Sequence, residues 1–235
     1  KVADRPLLVL ADERDVAAQA FVARHRAEGA RLLIPSDLSR PGWCLRVGDP
    51  GASVAVAEDG AIPASALRGV ITRLAAIAPA QLPHVAEADR DYVASEMSAF
   101  LGAWLSALAC PVMNRPFVPS LSGPVWRREQ WARLALGLDI PVAPIRLTLR
   151  PGSPMPAPQP PGEACIRLDV IGRAVIGHGH PRLRAHARRL ADGAGMALLG
   201  VLFDADDGHA RFVGADRWPD LSDRSIGDAV MESLS

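Results

Sequence analysis

Two histidines in the C-terminal half have a spacing that could bind a metal ion. His178 and His180 lie two residues apart in GHGHP, so on a strand both side chains would lie on one face. A zinc site needs a third and usually a fourth ligand, and none follows at a suggestive spacing. Loop histidines beside glycines are more often exposed to solvent, and the sequence favours that interpretation.

Motifs for nucleophilic catalysis and phosphate binding are also missing from the sequence. The serines of SLSGP, which begins at Ser120, lack the G-x-S-x-G turn of a serine nucleophile. The run Gly177-His178-Gly179 is followed by His-Pro and not by the lysine of a phosphate-binding loop. Every cationic side chain except Lys1 is an arginine. The body of the chain therefore has no lysine for phosphate or Schiff-base chemistry.

Carboxylates concentrate around a predicted hairpin near the C-terminus. The apolar run LLGVLF is followed by an Asp-Asp-Gly turn, and the next run ends in Asp216-Arg217-Trp218-Pro219. Asp-Asp-Gly is ordinary turn chemistry, so the turn explains these aspartates simply. The second strand is either the remnant of a catalytic strand or only a strand that ends at Pro219.

The elements that would position these residues begin in a βαβ order. PLLVLA is a short apolar strand, DVAAQAFVARHRAEG has apolar residues at helical spacing with a glycine at its end, and ARLLIPSDL contains a second strand. A hairpin and the strand GVITRL follow, and then a helix over about residues 89–108. This order predicts a parallel sheet with a right-handed crossover.

The C-terminal half has a different predicted organisation. A helix over 125–136, a β-hairpin through Gly172 and a basic helix from Pro181 precede the carboxylate-rich hairpin, and a terminal helix follows it. The segment RPGSPMPAPQPPGEA is too rich in proline to be a helix or a central strand. It is predicted to be an extended connector.

Composition limits the classes of partner. The 235 residues include 26 basic and 26 acidic side chains, giving zero formal net charge. Nucleic acids and anionic membranes both require a concentrated basic face, so we expect neither as a partner. The apolar stretch AFLGAWLSALACPVM is interrupted and too short to span a bilayer. With no visible leader at Lys1, a cytoplasmic location is expected.

Several segments, taken in order, resemble ATP-grasp ligases of the ribosomal-protein-S6-modification and glutathione-synthetase type. PVMNRP and SLSGPVWRREQWARLALGLDIPVAP are similar to the start of the family's ligase domain, and ACIRLDVIGRAVIG is similar to its hairpin. LLGVLFDADDGHARFVGADRWPDL is similar to its two metal-binding strands. GVITRL, before a long helix, resembles the pre-ATP-grasp domain.

The resemblance implies an α/β fold with two domains. A Rossmann-like pre-ATP-grasp domain would cover residues 1–115. A reduced ATP-grasp core with a mixed or antiparallel sheet would cover residues 116–235. The Pro-rich connector 150–163 would stand in place of the family's lid subdomain.

The resemblance also implies that the catalytic side chains are lost. Such ligases phosphorylate a carboxylate with ATP, which needs cations on the phosphates and oxygen ligands on Mg²⁺. Gly123 stands where the family has a lysine, and the missing lid would have carried a second one. Leu202 and Gly214 stand at two acidic metal positions, and Asp216 stands at an asparagine. We therefore expect no catalytic residue, no metal site, and neither ATP nor Mg²⁺ as a cofactor.

Some positions that match the family remain suited to ligand binding. Arg167 matches an arginine that faces nucleotide or substrate in active relatives, although it could equally face solvent or pair with Asp169. The full set of candidate ligand-binding residues is Arg73, Asn114, Arg115, Arg167 and Asp216.

Three functions follow from these expectations. The leading hypothesis is a degenerate, non-catalytic ATP-grasp protein that binds a small molecule, a peptide or an active biosynthetic ligase. The alternative is an active ATP-dependent carboxylate-amine ligase with a reduced site. The third is a structural subunit, in which an apolar face uncovered by the missing lid forms a homodimer.

Overall fold

A computed structural model describes residues 5–145 and 166–234 of the chain. The chain divides into two compact units: Lys1–Val125 with Asp220–Ser235 form the first, and Trp126–Pro219 form the second. The predicted boundary between residues 115 and 116 was placed by resemblance to the family, whereas the boundaries above separate compact units. The predicted boundary stays a prediction. The predicted connector 150–163 lies outside the described residues.

The described residues contain five α-helices and ten β-strands. The helices are α1 (Val16–His25), α2 (Arg90–Ala107), α3 (Arg128–Gly137), α4 (Pro181–Ala194) and α5 (Arg224–Ser233). The strands are β1 (Leu7–Leu10), β2 (Ala30–Leu33), β3 (Val54–Ala57), β4 (Gly60–Pro63), β5 (Gly69–Thr72), β6 (Val112–Met113), β7 (Ile166–Ile171), β8 (Ala174–Ile176), β9 (Leu198–Phe203) and β10 (Phe212–Asp216).

The first unit is built on a parallel sheet, as the βαβ order predicts. Its strand order is β2-β1-β5-β6, and Leu7 pairs with Ala30 on one side and with Gly69 on the other. All four residues of β1 and of β5 are buried, as expected for strands covered on both faces. The α/β class is therefore confirmed.

Local signals in the sequence set both ends of α1. The Asp15 side chain accepts a hydrogen bond from the Ala18 backbone N–H at 3.0 Å, which caps the helix N-terminus. A short 3₁₀ turn extends the helix to Gly29, whose φ of 92° is left-handed. Glycine adopts this conformation at no steric cost, so the predicted C-terminal glycine stop is present.

Helix α2 packs large apolar side chains into the core of the first unit. Leu101, Trp104 and Leu105 are fully buried and pack in one cluster with residues of the sheet. The Trp104 ring meets Trp43 edge to face, with ring centroids 5.6 Å apart. Although α2 is long and rather apolar, no helix within residues 5–145 and 166–234 could cross a membrane.

The second unit contains an antiparallel sheet with its helices on one face. The strand order is β10-β9-β7-β8, and Leu168, Val201 and Phe203 are buried in one cluster with residues of α3 and α4. Because side chains alternate along a strand, the residues between them lie on the opposite face. That opposite face carries the candidate site.

The basic helix α4 uses two of its arginines to hold the neighbouring hairpin. Arg184 donates hydrogen bonds to the carbonyl oxygens of Gly177, at 2.6 Å, and of Val175. Arg188 donates to the carbonyl oxygen of Arg173. These side chains therefore tie α4 to the β7–β8 hairpin.

His186 on α4 is an inward-facing polar residue that the helical pattern did not single out. It is 5% exposed, and its Nδ1 has no hydrogen-bond partner among the described residues. Burial, together with the charges of Arg182 and Arg189, lowers the pKa of His186 below its ordinary value. The unfolded chain therefore takes up this proton at a higher pH than the folded chain.

A pH-dependent loss of stability follows from this histidine. As pH falls below the ordinary histidine range near 6.5, the unfolded state is favoured, and we expect to lose about 1 kcal/mol of unfolding free energy between pH 7 and 5. His186→Leu should abolish most of that loss in urea titrations. His209→Leu, at an exposed position, is the control for the change of side chain, and it should keep the loss that His186 causes. Equal profiles for wild type and His186→Leu would contradict this assignment.

Candidate functional site

The face of the second sheet opposite its helices carries six positions in two neighbouring rows. One row runs across three strands as Arg167, Leu202 and Gly214, and the next as Asp169, Gly200 and Asp216. Positions two apart on a strand share a face, so both rows lie together. Two candidate residues from the sequence, Arg167 and Asp216, therefore meet here.

The Arg167 guanidinium lies between two carboxylates. Its Nε is 2.9 Å and 3.2 Å from the two oxygens of Asp169, and its Nη1 and Nη2 are each 3.2 Å from Asp216 Oδ2. Arg167 thus joins β7 to β10 across the intervening strand β9. Pairing with Asp169, one of the sequence alternatives, is present, and the bond to Asp216 accompanies it.

The charge state of Arg167 is fixed by these contacts. Burial by itself would lower the pKa of Arg167, but the charges of Asp169 and Asp216 and their hydrogen bonds raise the pKa above its ordinary value. The guanidinium is therefore permanently charged and already compensated. An incoming phosphate would meet two carboxylates around a single cation.

Gly200 makes room for this arrangement. A Cβ atom at this position would lie 2.5 Å from Arg167 Nη2 and 2.8 Å from Asp169 Oδ1. No side chain could occupy that space without displacing the arginine. The sequence pattern did not single out Gly200, because a glycine inside a strand shows no sign of what crosses over it.

The two positions that the resemblance assigns to metal ligands are direct cross-strand partners. Leu202 pairs with Gly214, yet leucine has no oxygen and glycine has no side chain. A Cβ built at Gly214 has no neighbour within 4 Å, so the space above it is open. In the described part of the chain, no group of three or more His, Cys, Asp and Glu side chains is placed to hold a metal ion. The residues present therefore do not fit Mg²⁺ with ATP.

Gly123, at the family's lysine position, has a backbone suited to glycine. Its φ is 81°, a left-handed value that side chains rarely adopt. A lysine here would be strained as well as differently charged. The local backbone at position 123 therefore favours glycine over lysine.

In the first unit, Arg73 lies at the carboxyl end of β5. In the strand order β2-β1-β5-β6, the connection after β1 leads to β2 on one side and the connection after β5 leads to β6 on the other side. The point where the direction of the connections reverses lies between β1 and β5, and α/β sheets commonly bind ligands at such a point. Arg73 Nε is 2.7 Å from Asp15 Oδ2, and both side chains are largely buried. Asp15 was not among the residues that the sequence analysis selected as ligand-binding candidates. Its position before α1 is typical of a helix cap.

Asn114 and Arg115 follow β6 and have different environments. Asn114 is buried, and its backbone N–H donates to Thr72 Oγ1 at 2.8 Å while that hydroxyl donates to the Asn114 carbonyl at 2.7 Å. Arg115 is exposed and donates to the carbonyl oxygens of Leu105, Leu108 and Cys110 at 3.2–3.4 Å. Arg115 thus caps the C-terminus of α2, where a positive charge is favourable.

The histidine pair of GHGHP has a structural use. His180 Nδ1 accepts a hydrogen bond from the Arg182 backbone N–H at 3.2 Å, so His180 caps α4. Its own backbone N–H donates to Asp206 Oδ1 at 2.7 Å. These contacts tie the loop to the β9–β10 turn. His178 is exposed in the same loop.

The architecture of the two units defines an ATP-grasp fold, and the expected fold is thereby confirmed. No family model and no curated protein matches the chain, but solved structures do. The ATP-grasp ligase PsnB, complexed with minimal precursor, Mg and ADP, is 14% identical with a TM-score of 0.63, over 100% of this chain and 99% of PsnB.

Two further ligases have similar structures. The macrocyclase MdnC of Microcystis aeruginosa MRC, bound with precursor peptide MdnA, is 10% identical with a TM-score of 0.67, over 97% of this chain and 99% of MdnC. The RimK domain ATP-grasp protein of Sphaerobacter thermophilus DSM 20745 is 19% identical with a TM-score of 0.52, over 97% of this chain and 99% of that protein. At these identities the likeness establishes the fold.

Proposed function

We propose that this chain is a non-catalytic binding protein built on the ATP-grasp fold. It would recognise a peptide, a small molecule or an active biosynthetic ligase without phosphoryl transfer. The observation that carries the proposal is the Leu202–Gly214 pair at the two positions where the fold's ligases would need acidic metal ligands. Neither ATP nor Mg²⁺ would be a cofactor.

The neighbouring charges support the same proposal. Arg167, the cation best placed on this face, is engaged by Asp169 and Asp216. Phosphoryl transfer needs cations that remain free to neutralise developing negative charge. An arginine held between two carboxylates would offer little such stabilisation.

The class of ligand is inferred from two observations. Structures similar to this chain were solved with precursor peptides, which favours a peptide. In the first unit, Arg73 and Asn114 lie at the carboxyl edge of the parallel sheet, the edge at which such sheets commonly bind ligands. We assign ligand contact to Arg73, Asn114 and Arg115 in the first unit and to Arg167 and Asp216 in the second. The protein would be cytoplasmic, with a second copy of itself or an active ligase as its partner.

Calorimetric titration with ATP in the presence of Mg²⁺ tests the proposal. We expect no saturable heat at micromolar affinity and no ATP turnover with a panel of amino acids and peptides. Asp216→Ala is the matched variant, because it removes the side-chain oxygens of a half-exposed residue on this face. Micromolar binding of Mg-ATP that Asp216→Ala weakens would contradict the proposal.

An active carboxylate-amine ligase with a reduced site is the second candidate. The observations favouring it are the likeness to active ligases over the whole chain and the arginine at position 167, which matches the family's arginine. Turnover of ATP that depends on a peptide or amino acid, and is lost in Arg167→Ala, would establish this candidate. Turnover unchanged in that variant would point to a contaminating enzyme.

A further inference from the structure

We propose that a groove beside α2 in the first unit is a dimer interface, in which α2 of one copy packs antiparallel against α2 of a second copy. The inference rests on the proposed function, which names a second copy or an active ligase as the partner. Three features of the first unit select the second copy: the groove, an exposed tyrosine on the same helix face, and opposite charges at the two ends of α2.

The groove lies between α2 and the loop that follows β6, and it has a volume of about 390 Å³. Ala99, Ala103 and Ser106 line it from the helix, and Val118 lines it from the loop together with two prolines. The Val118 side chain is 91% exposed. A large apolar side chain at the edge of a largely apolar groove indicates a surface that another chain can cover.

The exposed face of α2 continues from the groove toward the helix N-terminus. Tyr92 lies on this face, two helical turns before Ala99, and is 70% exposed. Ser95, Glu96 and Ala99 are exposed between Tyr92 and the groove. Apart from Glu96 these side chains are small, so another helix can approach this face closely.

A two-fold axis at Ala99 makes this face complementary to itself. Tyr92 lies seven residues before Ala99, and Ser106 lies seven residues after it. In an antiparallel pair, Tyr92 of one copy is therefore opposite Ser106 of the other, where the groove is. Each tyrosine ring would enter the groove of the other copy and cover Val118, and both contacts form together, as an isologous interface requires. Tyrosines buried in this way are common anchors of interfaces.

The N-terminal end of α2 is acidic. No acidic residue follows Glu96 before the helix ends at Ala107. The helix start and its first half carry four carboxylates, none of which is in an ion pair within residues 5–145 and 166–234: Glu87, Asp89, Asp91 and Glu96.

The C-terminal end of α2 is basic. Burial raises the pKa of the Cys110 thiol, and the charges of Arg115 and Arg5 oppose that rise, so both guanidiniums lie near this end. Their hydrogen bonds go to backbone carbonyl oxygens, and neither forms an ion pair with another described residue. Antiparallel packing would place the acidic end of each copy beside the basic end of the other, and such charge complementarity favours this orientation over a parallel one.

Sedimentation velocity from about 1 to about 200 µM protein measures the association. We expect a reversible dimer with a dissociation constant in the micromolar range. Ala99→Arg should raise that constant at least about tenfold, because it places two like charges at the two-fold axis. Val47→Arg is the matched control: it adds the same charge at an exposed apolar position that does not line the groove, and it should dimerise like wild type.

Disulfide formation tests the orientation of the two helices. Ala99→Cys should give a covalent dimer under mild oxidation, because position 99 meets its own copy across the axis at a distance that a disulfide can span. Wild type, with its three cysteines, and Val47→Cys should stay largely unlinked. No covalent dimer in Ala99→Cys, or an equal amount in Val47→Cys, would overturn the inference.

The remaining outcomes also decide the inference. Wild type that stays monomeric at the highest concentration overturns it, as does a dimer that Ala99→Arg leaves unchanged. If circular dichroism shows that Ala99→Arg does not fold, Tyr92→Ala takes its place, and an unchanged dissociation constant in that variant overturns the inference. A monomer that does not bind Mg-ATP would overturn this inference alone, whereas a dimer that binds Mg-ATP at micromolar affinity would refute only the proposed function.

Discussion

Arg73→Met is expected to lower the free energy of unfolding by about 3 kcal/mol, because it leaves a buried carboxylate without its partner. The Arg73 and Asp15 side chains are 8% and 17% exposed, and their closest atoms are 2.7 Å apart. Asp15 also caps α1, so its displacement would affect the helix as well. Urea denaturation followed by circular dichroism measures the change.

The matched control for Arg73→Met is Arg14→Met. Arg14 pairs with Asp12 at 3.2 Å, but its side chain is 83% exposed, and exposed pairs contribute less than about 1 kcal/mol. The double variant Arg73→Met with Asp15→Asn should recover part of the loss, since no unpaired charge remains. If Arg73→Met cost no more than Arg14→Met, the pair would not stabilise the sheet edge.

The order of elements was predictable from the sequence because local signals mark most boundaries. Alternation between short apolar runs and helical spacing located β1, α1 and β2, and Gly29 marked the end of the helical turn. The hairpin turn at Gly172 was equally local. Such signals depend on the backbone within a few residues, so they can be read without knowing the tertiary contacts.

The site was less predictable because its contacts join distant residues. Arg167 and Asp216 are 49 residues apart in the chain, and only the strand order places them on either side of Gly200. The sequence indicated both residues through their resemblance to family positions. The sequence did not indicate Gly200 or Asp15. The role of Gly200 depends on the side chain that lies over it, and the role of Asp15 depends on the arginine that pairs with it.

The helix cap at His180 shows a different limit of prediction. Serine, threonine, aspartate and asparagine are the usual N-terminal caps, so a histidine before Pro181 suggested a loop or a metal ligand. The structure uses its imidazole nitrogen as the acceptor. The same imidazole nitrogen can accept a hydrogen bond from a backbone N–H or bind a metal ion. The sequence alone does not show which of the two it does.

The two positions that the resemblance assigns to metal ligands lie where their identity does not affect the core. The core of the second unit is made by Leu168, Val201 and Phe203 with the helices, whereas Leu202 and Gly214 lie on the opposite face. Substitutions on that face do not create cavities in the core. Architecture and chemistry can therefore change independently, and the function has to be argued from the site.

Gly200→Ala is the second substitution for which we expect a large effect, a loss of about 2 kcal/mol of unfolding free energy. The added Cβ would lie 2.5 Å from Arg167 Nη2 and 2.8 Å from Asp169 Oδ1, so the arginine would have to leave its place between the carboxylates. Asp169, almost fully buried, would then lose the compensation that Arg167 provides. Chemical denaturation gives the size of the loss.

Gly214→Ala separates this effect from a general cost of replacing a strand glycine. A Cβ at Gly214 meets nothing within 4 Å, so this variant should change the unfolding free energy by less than about 0.5 kcal/mol. In an Arg167→Ala background, Gly200→Ala should cost much less than in wild type, because the displaced guanidinium is already gone. Equal costs in the two backgrounds would mean that Gly200 is required for another reason, and that the bridge from β7 to β10 does not depend on it.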